Sequence, residues 1–161
     1  MIRIHTVPLP HRRRALAAAL LACLLATGNA LAGDVCDLEG AGESGNGATA
    51  PGNEALACGQ DSEASGNSST AIGHNSRATD TASTALGQDS QATAGAATAI
   101  GEYARASENN SIAVGGSSNA AGYHSVAVGT GSRTMAGMSV AIGGNGYAAA
   151  PGAMALDFGA R

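Results

Sequence analysis

Aliphatic residues occur along this chain as pairs two positions apart, separated by about ten small or polar residues, and the pair returns every 14 residues. The recurring unit is a pentapeptide, Ser/Ala-x-Ala-aliphatic-Gly. It reads Ala55-Leu-Ala-Cys-Gly59, Ser69-Thr-Ala-Ile-Gly73, Ser83-Thr-Ala-Leu-Gly87 and Ala97-Thr-Ala-Ile-Gly101, then Ser111-Ile-Ala-Val-Gly115, Ser125-Val-Ala-Val-Gly129 and Ser139-Val-Ala-Ile-Gly143. An eighth copy, Ala153-Met-Ala-Leu-Asp157, has aspartate in place of the glycine. A fixed period this short predicts a stacked solenoid in which each repeat is one coil. Two heptads would also span 14 residues, but heptads need apolar residues at three- and four-residue spacing. Each interior glycine would also cost a helix about 1 kcal/mol relative to alanine. Glycine is not at every third position, which excludes a collagen helix.

Within the pentapeptide the alternation has period two, the mark of a strand with two unlike faces. Counting from the Ser/Ala, positions 1, 3 and 5 are small, whereas positions 2 and 4 carry Thr, Val, Ile, Leu, Met or Cys. A second, weaker strand follows a turn, with small residues at position 8 (Ser62, Ser76, Ser90, Ala104, Ser118, Ser132, Gly146) and position 10 (Ala64, Ala78, Ala92, Ala106, Ala120, Thr134, Ala148). Asp61, Asn67, Asn75, Asp80, Asp89, Asn109 and Asn145 fall in the links, as turn residues do. Two strands of four or five residues and two turns consume the whole period, so the coil is narrow. The expectation is an all-β parallel β-roll whose interior is lined by the small columns, including Ala71, Ala85, Ala99, Ala113, Ala127 and Ala141. Ile72, Leu86, Ile100, Ile112, Val114, Val126, Val128, Val140, Ile142 and Leu156 then point outward. At about 4.8 Å per coil they build an apolar stripe about 30 Å tall, which calls for a partner surface. The opposite facing, a single-chain β-helix with the aliphatics inside and the alanines outside, is the alternative.

Composition narrows the picture. One phenylalanine, three tyrosines and no tryptophan cannot fill an ordinary globular core. Residues 1–32 read as an export signal: Arg12 to Arg14 form a basic region, Ala15 to Ala26 a short apolar run, and Ala30-Leu-Ala32 a cleavage site. The apolar run is shorter than the roughly 20 residues a membrane span needs. Leu20-Leu-Ala-Cys23 also matches a lipidation box, although the residues just after Cys23 stay apolar. Residues 33–54 form an N-terminal lead-in that includes a degenerate first repeat near Ala41, and 55–161 carry the repeats. Cleavage leaves four arginines against twelve carboxylates, a net charge of −8 on a chain without lysine. That balance argues against nucleic acid and anionic membrane as partners. Cys36 and Cys58 are a candidate disulfide of an oxidising compartment, within one chain or between chains.

The pentapeptide Ser139-Val-Ala-Ile-Gly143, repeated in phase with Ser and Ala in the following strand, resembles the head repeat of trimeric autotransporter adhesins, the YadA-like head. The resemblance covers about residues 55–157. It implies a left-handed parallel β-roll, three chains packed through the aliphatic wall, and an exported protein at the surface of a Gram-negative cell or outside it that binds host matrix, cells or surfaces. Such proteins usually continue into a coiled-coil stalk and a translocator barrel. Residues 158–161 show neither pattern, so the expectation is that anchoring is not encoded here.

No catalytic constellation is visible, and neither cofactor nor metal is expected. His74 falls at position 6 and His124 at position 14, so stacking separates them, and no Gly-Gly-x-Gly-x-Asp calcium repeat is present. Candidate ligand contacts are Arg77, Arg105 and Arg133 at position 9 of alternate coils, together with Tyr103; Tyr123 and Tyr147 are further aromatic candidates. For the arginines the plainer reading is a solvated column that offsets nearby carboxylates. Two further function classes remain: an exported scaffold without a receptor, and an ice-binding solenoid. The second rests on the column Thr70, Thr84, Thr98, which gives way to Ile112, Val126, Val140 and Met154.

Overall fold

The computed structural model describes residues 34–35 and 47–157. The predicted export signal and Cys36 lie outside the described residues. Two parallel sheets face each other along the roll. One contains nine strands, Asp34–Val35, Leu56–Cys58, Thr70–Ile72, Thr84–Leu86, Thr98–Ile100, Ile112–Val114, Val126–Val128, Val140–Ile142 and Met154–Leu156. The other contains seven, Glu63–Ala64, Arg77–Ala78, Gln91–Ala92, Arg105–Ala106, Asn119–Ala120, Arg133–Thr134 and Tyr147–Ala148. Register is held at one coil per strand: Thr70 lies beside Thr84, Ala71 beside Ala85 and Ile72 beside Leu86. The strands are three and two residues long, shorter than the expected four or five. The links between strands, four residues (73–76) and then five (79–83) in the coil that begins at Ser69, take the remaining positions.

The core is made of small residues. Ala57, Ala71, Ala85, Ala99, Ala113, Ala127 and Ala141 from the nine-stranded wall are fully buried against Ala64, Ala78, Ala92, Ala106 and Ala120 from the other. Positions 1 and 8 bury serine. The Ser76 hydroxyl donates to the Gly73 carbonyl at 3.0 Å, Ser83 to Asp80 at 2.6 Å, and Ser132 to Gly129 at 2.8 Å. The backbone N–H of the same serine bonds the same carbonyl, as in Ser76 to Gly73 at 3.3 Å, so one residue closes its turn twice. A hydroxyl bonded in this way can be buried without the cost of an orphaned polar group. Thr134, the largest fully buried side chain among the described residues, donates its hydroxyl to Ser125 Oγ at 2.8 Å across the interior.

Turn geometry repeats as strictly as the strands. Positions 7 and 14 both adopt left-handed backbone: φ is 54° at Asn75, 57° at Tyr103, 56° at Ala82 and 56° at Met138. For an L-residue this costs about 1–2 kcal/mol. The stacked neighbour offsets it, since Asn75 N–H donates to the Gln60 carbonyl and Ala82 N–H to the Asn67 carbonyl, each at 2.8 Å. The hydrogen-bond ladder therefore runs through the turns as well as the strands. Position 5 is stricter. Gly101 has φ +127°, and a Cβ there would sit 2.7 Å from the Gly115 carbonyl carbon and oxygen in the next coil. At the N-terminal end, Asp34–Val35 pairs with Leu56 and Ala57, and Thr49 bridges Glu63. Cys58, in the adjoining strand, is disulfide-bonded.

Two substitutions test this packing. Ala99→Leu should overfill the coil and cost about 1–3 kcal/mol or more in urea unfolding. Gly101→Ala should cost about 2 kcal/mol or more, because strained backbone and contact with the next coil combine. Unfolding midpoints unchanged from wild type would show that the coil has room these distances deny.

Candidate functional site

With the interior filled by alanine and serine, chemistry is confined to the outside of the roll. The nine-stranded wall is apolar. Leu86, Ile112, Ile142 and Leu156 are exposed on the single chain, while Ile72, Ile100, Val114, Val126, Val128 and Val140 are half-buried by their stacked neighbours. In the coils before Ser111 this stripe is one aliphatic wide, with Thr70, Thr84 and Thr98 beside it; afterwards both outward columns are aliphatic. An apolar face of this height exceeds what a monomer ordinarily leaves in water.

The seven-stranded wall is polar along most of its length. Its position-9 column stacks Glu63, Arg77, Gln91, Arg105, Asn119, Arg133 and Tyr147. Arg77 Nε lies 3.9 Å from Glu63 Oε2, with both side chains well exposed, a pairing of small energetic worth. Arg105 donates from Nη2 to Gln91 Oε1 at 2.9 Å. A shallow hollow of about 270 Å³ runs between Gln91, Thr93, Arg105, Ser107, Asn119 and Ala121. The Arg133 side chain is exposed and makes no hydrogen bond or ion pair among the described residues, although its backbone N–H donates to the Gly146 carbonyl at 2.7 Å. The three candidate arginines therefore share a column but not a state: two are engaged within the chain and one is not.

The turn corners separate the remaining candidates. His74 stands at one corner and His124 at the other, where the His124 ring meets Tyr123 edge-on with centroids 3.9 Å apart. Tyr103 is exposed in a left-handed turn. Among the described residues no three His, Cys, Asp or Glu side chains gather where a metal could be held. Asp89 is the carboxylate with a perturbed acidity: the Asn75 amide donating to it holds it below the usual range, partial desolvation opposes this, and the Gln88 amide and His74 add to the lowering. Asn75 and Asp89 are the same turn position in successive coils, so the effect is a staple between coils.

Sequence reasoning missed a contrast along the roll. Residues 47–108 carry seven carboxylates and two arginines, whereas from Asn109 to Leu156 the only Asp, Glu, Lys or Arg is Arg133. Most of the large exposed apolar side chains fall in that second stretch, Met135, Met138, Tyr147 and Met154 among them. A count of charge by coil would have found it.

The model of the YadA head domain repeat, taken two copies at a time, matches residues 64–90, 78–104, 92–118 and 106–132. A crystal structure of the collagen-binding domain of the Yersinia adhesin YadA superposes with a TM-score of 0.65 at 27% identity, covering 83% of this chain and 85% of that one. This region is a YadA-like head domain. A search of curated proteins returned no match. In the YadA-like head, the 14-residue period, the small-residue interior and the outward aliphatic wall are one arrangement, because filling the coil with alanine leaves the aliphatics only the outside.

The Asp89 staple has a pH signature. A carboxyl with a depressed folded pKa contributes stability that is complete above its unfolded value and lost as pH falls through the folded one. Asn75→Ala should move the Asp89 titration, followed by NMR, upward toward the ordinary carboxylate range, and should shrink the acid-side loss of stability. A titration unmoved by the substitution would remove Asn75 as the cause.

Proposed function

We propose that this chain is the non-enzymatic head of an exported trimeric adhesin, held at or outside the surface of a Gram-negative cell. Three copies pack through the nine-stranded wall, and the seven-stranded wall and turn corners face host matrix, other cells or abiotic surfaces. The observation that carries this is the uncovered aliphatic stripe on a roll whose own interior is already full. Burying it against two copies of itself removes it from water at roughly 25 cal/mol per Å². A heterologous contact repeated about a three-fold axis also closes identical chains into a ring with no open end. The Yersinia domain binds collagen by its description, which makes matrix protein the first ligand class to try. In this reading the signal ends at Ala32, the mature chain starts at Gly33, and Cys36 pairs with Cys58.

Light-scattering mass of the secreted protein tests the assembly, with the intact-mass spectrum of the same sample reporting the N-terminus. A mass three times that of the chain is expected, and Val128→Asp should convert it to monomer because a carboxylate would be desolvated in the seam. A wild-type monomer that binds no hydrophobic dye would sink the trimer. Retention on collagen- or fibronectin-coated surfaces is expected above an uncoated control; equal retention on all three would favour a scaffold without a receptor.

A further inference from the structure

The seven-stranded wall changes character over its last three coils. Upstream its outward positions 9 and 11 are polar: Gln91, Thr93, Arg105 and Ser107. From Ala121 onward position 11 becomes Ala121, Met135 and Ala149, and position 9 becomes Arg133 and Tyr147. Register places Arg133 directly beside Tyr147 on neighbouring strands, so a cationic and an aromatic residue are adjacent in one outward column, with Met135 two residues further along the chain. Met135 is 52% and Tyr147 59% exposed. This wall lies on the opposite side of the coil from the aliphatic stripe, so packing through that stripe leaves it open.

Two observations indicate what would cover it. Arg133 lacks the in-column partner that Glu63 gives Arg77 and Gln91 gives Arg105. No carboxylate of the chain lies anywhere between Asn109 and Leu156 to supply one. Methionine, tyrosine and arginine together are the residue types enriched where proteins dock, and an arginine beside apolar surface offers a forked, weakly hydrated donor to a carboxylate. A lone cation is a poor site for a polyanion, which needs many. We infer that Arg133, Met135 and Tyr147 form a docking site for a polypeptide segment carrying an Asp or Glu next to apolar side chains. The carboxylate bonds Arg133 and the apolar neighbours cover Met135 and Tyr147. This rests on the adhesin reading only in taking the wall to be displayed.

A phage library of random 12-residue peptides, panned over the full secreted protein with counter-selection on Arg133→Glu, tests the site. The expected outcome is a consensus with an acidic residue flanked by apolar ones. The synthesised peptide should then bind Arg133→Gln and Tyr147→Ser at least about tenfold more weakly than wild type, with both variants matching wild type in unfolding midpoint and mass. Arg77→Gln, in the same column but already paired, should bind as wild type does. Absence of an acidic consensus, or equal binding by Arg133→Gln, overturns the proposal. Heparin binding that depends on Arg133 but not on Tyr147 overturns it too, in favour of a glycan. A monomeric mass together with the predicted consensus would fail the trimer and leave this site standing.

Discussion

The two walls of the roll lie so close together that, among the described residues, no side chain larger than threonine is fully buried between them. The other features follow from that spacing. Alanine and serine must line the interior, and the aliphatic residues of the same strands are forced onto the outside by the alternation of strand side chains. A protein of ordinary core would use those aliphatics to hold itself together. Here they are left over, and association becomes the means of removing them from water.

Such a thin core contributes little per coil, so the backbone carries more of the cohesion. Each coil bonds to the next along both strands, and the left-handed residues at positions 7 and 14 extend the ladder through the turns. Serine adds a second bond to each turn carbonyl it reaches. Glycine at position 5 lets adjacent coils approach to a distance that a Cβ would prevent. The strain of two left-handed residues per coil is tolerable only because stacking satisfies their N–H groups, so no coil is stable without neighbours. This is the thermodynamics of a repeat protein in which neighbour interfaces dominate.

Identical coils do not make identical surfaces. The roll is acidic and polar over residues 47–108 and almost uncharged beyond them. On the apolar wall the same transition replaces a threonine column with Ile112, Val126, Val140 and Met154, broadening the stripe where charge vanishes. Contacts between copies are therefore expected to be strongest toward the C-terminal coils, and the opposite wall gains its exposed Met135 and Tyr147 in the same region. The scaffold is uniform, and recognition resides in the outward columns that vary.

Much of this was legible before any coordinates. The period and the alternation of small with bulky residues determine coil length and parallel stacking, and side-chain volume favours alanine inside; the complete burial of the alanine column excludes the opposite facing. Other features needed the tertiary structure. Strand lengths of three and two emerge only once the turns claim their residues. The left-handed positions are occupied by Asp, Asn, Glu, Ser, Ala, Tyr, His, Met and Gly, so residue identity does not announce them; coil-to-coil hydrogen bonding imposes them. The difference between Arg77, Arg105 and Arg133 likewise depends on which side chain the neighbouring coil presents. Residues 14 apart in the chain become neighbours only through the stack, and that adjacency leaves the Arg133 guanidinium without a side-chain partner among the described residues.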